Sequence, residues 1–252
     1  FLDGIEIPAI NHFATQGASG GPVGMINVNL IRDVDFYTSA FQAQRGNTLS
    51  SVMEINLKDG RTDRTGGLFQ VGASEVGLFL EGPLSKKTTY LVSARRSYLQ
   101  FLFGVLGLPF LPSYNDYQFK VKHQLGKRSS LTVLSLGAYD VSTLNTTVDS
   151  LPAQRYILSY LPEYFQWNYS IGAKYTQGYD NGYLNVILSR FMLNNTAQKF
   201  VNNDKNADKL LDYASQEIEN KLRVERIFKG NTSQHHECSI FRIRRRYPWE
   251  NR

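Results

Sequence analysis

The chain has 252 residues, a formal net charge of +6 and one cysteine, Cys238, which excludes an internal disulfide and a thiolate metal cluster. Five arginines and one glutamate in the last eleven residues carry +4 of that charge, so the body is near neutral and a nucleic-acid partner finds no support outside the tail. The longest apolar run, Phe101 to Pro112, is broken by Gly104, Gly107 and Pro109 and falls well short of the ~20 residues that a helix needs to cross a bilayer; any crossing is left to β-strands.

The sequence starts as if in mid-strand, with Phe1-Leu2-Asp3 and no charged and apolar leader, so the natural N-terminus is expected upstream. Leu2 to Ile7 reads as a short strand. Pro8 to Gly24 is a loop of small residues whose glycines fit neither nucleotide-binding glycine pattern. Asn27 is placed to cap one helical turn through Ile31. Val34, Phe36 and Thr38 alternate with Asp33, Asp35 and Tyr37 as a strand, and Gln42 to Thr48 forms the turn after it. Met53, Ile55 and Leu57 then alternate with Glu54, Asn56 and Lys58, the period of two of a half-buried strand, which Asp59-Gly60 ends.

Beyond Gly60 strands recur with connections that alternate short and long. Leu68–Ser74 and Val76–Pro83 form a tight pair, and strands follow at 88–101, 114–125, 130–143, 164–177, 183–198 and 214–228. The turns near 84–87, 126–129, 178–182 and 229–231 are short, while 102–112, 144–163 and 199–212 are long. Short turns on one side and long loops on the other mark a bacterial outer-membrane barrel.

Strand content supports this. From Phe165 to Tyr175 the odd positions are all apolar or aromatic, with aromatics at both ends, whereas Gln166, Asn168, Ser170, Gly172, Lys174 and Thr176 form the other face. That length matches the ~9–11 residues of a tilted membrane strand. Tyr117, Phe119, Val121 and Leu125 repeat the pattern, with His123 as the exception. On the last strand Glu217, Glu219, Lys221, Arg223 and Glu225 line one face, and such a row demands water or polar partners. Residues 232–252 lack sustained alternation and turn suddenly arginine-rich, so this anomalous basic tail is expected to be disordered or frame-shifted.

Leu2-Asp3-Gly4, Leu49-Ser50-Ser51-Val52, Lys58-Asp59-Gly60, Glu81-Gly82-Pro83 and Arg95-Arg96-Ser97-Tyr98, in this order across residues 2 to 231, resemble TonB-dependent outer-membrane receptors of the Bacteroidetes-like kind. The resemblance implies a mostly β fragment. Residues 1–65 would be the C-terminal part of a plug domain, and 66–231 the N-terminal part of a truncated transmembrane β-barrel, with about eight antiparallel strands present. It implies energy-coupled uptake of an unidentified nutrient in the outer membrane of a Gram-negative bacterium. The partners would be outer-membrane lipid, the nutrient, and an inner-membrane energy-transducing complex reached through a segment upstream of Phe1. Asn11, His12 and Gln16, in the upper plug loop, would face the ligand.

A non-transporting surface-binding or adhesive barrel is the alternative. No catalytic residue, cofactor or metal is expected. Asp33 with Asp35, and Glu217 with Glu219, lie two apart on strands, which sets both on one face without fixing a cleft. His235-His236-Glu237-Cys238 has metal-ligand residue types, but four adjacent residues do not readily wrap one tetrahedral ion.

Overall fold

The computed structural model describes residues 1–14, 20–38, 45, 51–229 and 234–247. Its main element is one antiparallel sheet of nine strands in chain order: β5 (Gly66–Val71), β6 (Glu75–Ser85), β7 (Thr88–Ser97), β8 (Phe110–Gln124), β9 (Ser129–Leu144), β10 (Glu163–Tyr179), β11 (Gly182–Phe200), β12 (Lys209–Lys229) and β13 (Gln234–Tyr247). Residues before it form two small hairpin-like pairs, β1 (Asn11–His12) with β2 (Val23–Gly24), and β3 (Ile31–Tyr37) with β4 (Val52–Leu57). Two helices, α1 (Leu99–Val105) and α2 (Pro152–Tyr160), occupy connections at the long-loop end of the sheet.

Register gives the sheet two unlike faces, because opposed residues of an antiparallel pair point the same way. One row runs Tyr90, Val121, Val133, Ala173, Leu188, Leu222 and Phe241 across β7 to β13, and is wholly apolar. The adjacent row on the opposite face runs Leu91, Lys120, Leu134, Gly172, Ser189 and Lys221. The first face is solvent-accessible in this chain, Leu188 being 58% exposed, while the second is covered by residues 1 to 60. The main core lies between the two: Leu2, Ile5, Met25, Leu30, Ile55 and Leu57 pack on Phe79, Leu91, Leu134, Leu136, Ala138 and Ile187. Gly172 permits a close approach of Ile5, since a Cβ there would stand 2.7 Å from Ile5 Cδ1.

Several expectations change. The sheet has nine strands rather than about eight, because β13 falls within the tail expected to lie outside the strand pattern. Its alternation exists but is obscured by arginine. Phe241 and Ile243 sit opposite Leu222 and Asn220 on the outward side, and Arg242, between them, pairs with Glu219 and Glu6 at 2.9 Å. Leu2 to Ile7 is not a strand. Leu2 and Ile5 exchange backbone hydrogen bonds around Asp3 and Gly4, whose φ of 49° and 85° make an Asp-Gly reverse turn with both central residues left-handed. Leu2 also lies parallel to Ile55 in β4. The strand expected over 88–101 stops at Ser97, where the chain turns into α1. Asn27 does cap a turn: its side chain accepts from Asn29 N–H at 2.9 Å at the head of a 3-10 turn, Val28–Leu30.

Arg190 points outward in the middle of β11, opposite Ile171. Its guanidinium donates to Tyr169 Oη at 2.9 Å and to Asn220 Oδ1 at 3.1 Å, so two neighbours on the same face satisfy it.

Candidate functional site

The chemistry of this chain is concentrated where residues 1 to 60 meet the inward face of the sheet. Near the long-loop end β8 and β9 bring Asp116 and Asp140 to either side of His12, which has no exposed surface. His12 Nδ1 lies 2.6 Å from Asp140 Oδ1 and Nε2 lies 3.0 Å from Asp116 Oδ2. The Phe13 amide donates to the second Asp140 oxygen at 2.8 Å, and the Tyr114 ring lies 4.3 Å from the imidazole. Arg95 closes the cluster by pairing with both Asp116 and Glu75, and Tyr114 Oη donates to Glu75 at 2.7 Å. Burial opposes a charge on His12, but its hydrogen bonds to the two carboxylates more than offset it, so its pKa is raised above the ordinary value.

Further toward the short turns the Asn27 side chain donates to Ser93 Oγ at 2.7 Å, and its backbone N–H donates to Gln118 at 3.3 Å. Lys120 pairs with Asp3 and Asp59 at 2.9 Å, and Lys122 with Asp59 at 2.6 Å. Burial raises the Asp59 carboxyl less than these two ammonium groups lower it. On β12 the inward charged row meets the same segment. Lys221 pairs with Glu6 and Glu219, Arg223 donates to Gly4 O, and Glu225 receives Arg45, Arg223 and Asn185. Lys221 and Arg242 hold Glu6 below the usual carboxylate range despite its burial. Residues 1 to 60 thus supply part of the polar partners that the row demands, through Gly4, Glu6 and Arg45, while Asn185, Arg242 and members of the row itself supply others.

Of the residues expected to face a ligand, Asn11 is half-buried in β1 opposite Gly24, His12 is fully buried, and Gln16 lies outside the described residues. Both His12 ring nitrogens are engaged, so it can contact an incoming molecule only by leaving a carboxylate. Sequence reasoning missed Asp116 and Asp140 as its partners, and Arg95 and Glu75 as the groups that complete the cluster around them. Inward parity on β8 flags Asp116, but nothing local couples it to a loop residue 104 positions away.

A joint made this way differs from an apolar core. Ion pairs and hydrogen bonds tie the segment to the wall row by row, and each tie can be exchanged for water at a small net cost once water enters.

No protein-family model matches the sequence, and no curated protein sequence matches it. Solved structures share its fold. A variant of the ferric enterobactin receptor from Pseudomonas aeruginosa matches with a TM-score of 0.63 at 14% identity, over 89% of this chain and 37% of that one. The ferripyoverdine receptor of the outer membrane of Pseudomonas aeruginosa, bound to ferripyoverdine, matches with a TM-score of 0.60 at 12% identity, over 84% and 32%. The copper transporter OprC matches with a TM-score of 0.63 at 9% identity, over 98% and 38%. The chain thus spans well under half the length of each. It has the fold of part of a TonB-dependent receptor, with an inner segment against a stretch of barrel wall.

Proposed function

We propose that the chain is part of a TonB-dependent outer-membrane receptor that takes up a nutrient by energy coupling, with residues 1–65 as the end of the plug, 66–231 as the first barrel strands, and β13 continuing the wall. One observation carries this reading: a single segment covers the charge-bearing inward face of a long antiparallel sheet whose outward face carries an apolar belt. Strands β8 to β12 run 15 to 21 residues, enough to cross a bilayer with ~9–11 and to project beyond it at the loop end. Both β5 and β13 end the sheet with one edge unpaired, and in hydrocarbon each unpaired backbone group costs several kcal/mol, so a working barrel needs further strands. A longer receptor supplies them.

The Bacteroidetes-like subtype rests on the sequence motifs quoted above, and the nutrient is left open. The inner-membrane energy-transducing partner would act on the segment that leads into Phe1. Asn11 and Gln16 stand as proposed ligand-facing groups of the plug loop; His12 joins them only if its latch to Asp116 and Asp140 opens.

The test is a tether. Ala14 donates its N–H to Gln166 Oε1 at 2.9 Å, so cysteines at these two positions, joined by a short cross-linker, fix the plug loop to β10. In the receptor in its outer membrane, the tether should abolish uptake of the nutrient and leave surface binding intact. Undiminished uptake with the plug tethered would overturn transport by plug movement, and binding without uptake in the untethered protein would favour a non-transporting surface receptor.

A further inference from the structure

Two consecutive short turns of the sheet repeat one arrangement. The chain runs Leu84-Ser85-Lys86-Lys87 from β6 into β7, and Leu125-Gly126-Lys127-Arg128 from β8 into β9: a leucine, a small residue, then two cations. The two turns lie side by side, because β7 pairs with β8 and Gln124 N–H donates to Lys87 O at 2.8 Å. Both are held closely. Ser85 Oγ donates to Thr88 Oγ1 at 2.9 Å, Gln124 Nε2 to Gly126 O at 2.7 Å, and Gly178 N–H to Arg128 O at 2.7 Å.

The leucines lie on the outward side. Leu125 keeps the strand parity of the outward Phe119, Val121 and His123, and Leu84 enters a bulge opposite Thr88, which itself opposes His123. Leu84 and Leu125 are 64% and 48% exposed. The polar pair between them and the belt satisfies itself, with Thr88 Oγ1 2.8 Å from His123 Nδ1. From the belt toward the turn the order is Val121, Leu125, Lys127, so apolar side chains stand nearer the bilayer and cations nearer water.

These cations differ from those on the inward face of the same strands. Lys120 and Lys122 pair with Asp3 and Asp59, whereas Lys86, Lys87 and Lys127 are exposed and pair with no carboxylate among the described residues. Arg128 alone of the four turn cations is neutralised, by Asp180.

We propose that these two turns hold an anionic phospholipid of the inner leaflet of the outer membrane, with Lys86, Lys87 and Lys127 around its headgroup phosphate and Leu84 and Leu125 against the upper part of its acyl chains. The inference rests on reading the sheet as outer-membrane barrel wall, whose short turns face the periplasm. Two features select this occupant. Three uncompensated cations call for an anion, and lysine stems lie along apolar surface while their ammonium heads stay at headgroup level. Free phosphate or a soluble acidic partner would answer the cations and leave both leucines in water.

The experiment uses the protein reconstituted into vesicles doped with a photoactivatable phosphatidylglycerol or with its phosphatidylcholine counterpart, and maps lipid adducts by peptide. Adducts on residues 84–88 and 125–129 should favour the anionic probe by about tenfold or more, at roughly fivefold for each lysine engaged. Replacing Lys86, Lys87 and Lys127 together by glutamine should remove that preference, and replacing all three by arginine should keep it. Leu84→Ser with Leu125→Ser should lower adducts from both probes at the turns, and none of these variants should change adducts on the Ile171 peptide. Adducts on the Ile171 peptide but none at the turns, equal labelling of the turns by both probes, or a preference that survives the glutamine variant would overturn the lipid site alone. Absence of adducts from every peptide would overturn the membrane reading, and the site with it.

Discussion

His12 Nδ1 stands 2.6 Å from Asp140 Oδ1 across 128 positions of sequence, with both side chains shut off from solvent. This contact and its twin to Asp116 fasten β1 to β8 and β9. The His12 pKa is raised in the folded protein, so the stabilisation is fully present below the unfolded value near 6.5 and is lost as pH rises through the raised folded value. Limited proteolysis of residues 1 to 60 from about pH 5 to 9 should show cleavage increasing with pH, and His12→Gln should flatten that profile. A pH-independent wild-type pattern would remove the latch. Asp140→Ala breaks a buried pair and should cost about 3–5 kcal/mol in the same assay at low pH.

Gly172 sets how near Ile5 comes to β10. Gly172→Ala pushes a methyl group to within 2.7 Å of Ile5 and should destabilise the plug by about 1–3 kcal/mol. Combining it with Ile5→Ala should recover part of that loss in thermal unfolding. Strict additivity of the two substitutions would mean that the side chains do not meet.

Glu225 gathers Arg45, Arg223 and Asn185 on the inward face of β12. A double-mutant cycle on Arg45→Ala and Glu225→Ala should give a coupling of about 0.5–3 kcal/mol, read from denaturant unfolding. A coupling of zero would detach residue 45 from the wall.

Leu188 lies in the middle of the outward apolar belt and Tyr179 at its short-turn end. Leu188→Arg should cost ~2–4 kcal/mol and reduce the protein recovered from outer membranes, whereas Tyr179→Arg should cost ~0–1 kcal/mol. Equal recovery would reverse the assignment of faces. Leu188 suits this test better than Ile171, because Ile171 faces Arg190, whose charge would partner an introduced aspartate.

β10 was legible because Phe165 to Tyr175 keeps period two throughout, and β8 because it does so with His123 as the exception, whereas β9 and β11, apolar on both faces, were read from the turns that bound them. The tail misled because Arg242, which pairs with Glu219 and Glu6, reads as part of a solvated basic run until β12 is set beside it. Leu2 to Ile7 misled for a local reason: Asp-Gly between two apolar residues is a turn signal, and the alternation around it is too short to outweigh it. For the site, sequence named His12 as a ligand-facing group rather than as a buried partner of two carboxylates, and it registered the demand of the β12 charges for partners. The partners themselves were hidden, because a contact between positions 12 and 140 depends on how a loop crosses a sheet, and no periodicity records that.

The pairing of Leu2 with β4 also governs how a force would travel. Phe1 N–H donates to Met53 O at 2.7 Å, Ile55 N–H to Phe1 O at 2.8 Å, Asp3 N–H to Ile55 O at 2.9 Å, and Leu57 N–H to the Asp3 carboxylate at 3.0 Å. A tug along the strand axis stretches these bonds together, in shear, and the load passes into β4 as a unit. A tug across the axis opens them one at a time, like a zipper. A force applied at Phe1 would therefore carry residues 1–3 and β4 together when directed along the axis, and would peel Phe1 away first when directed across it.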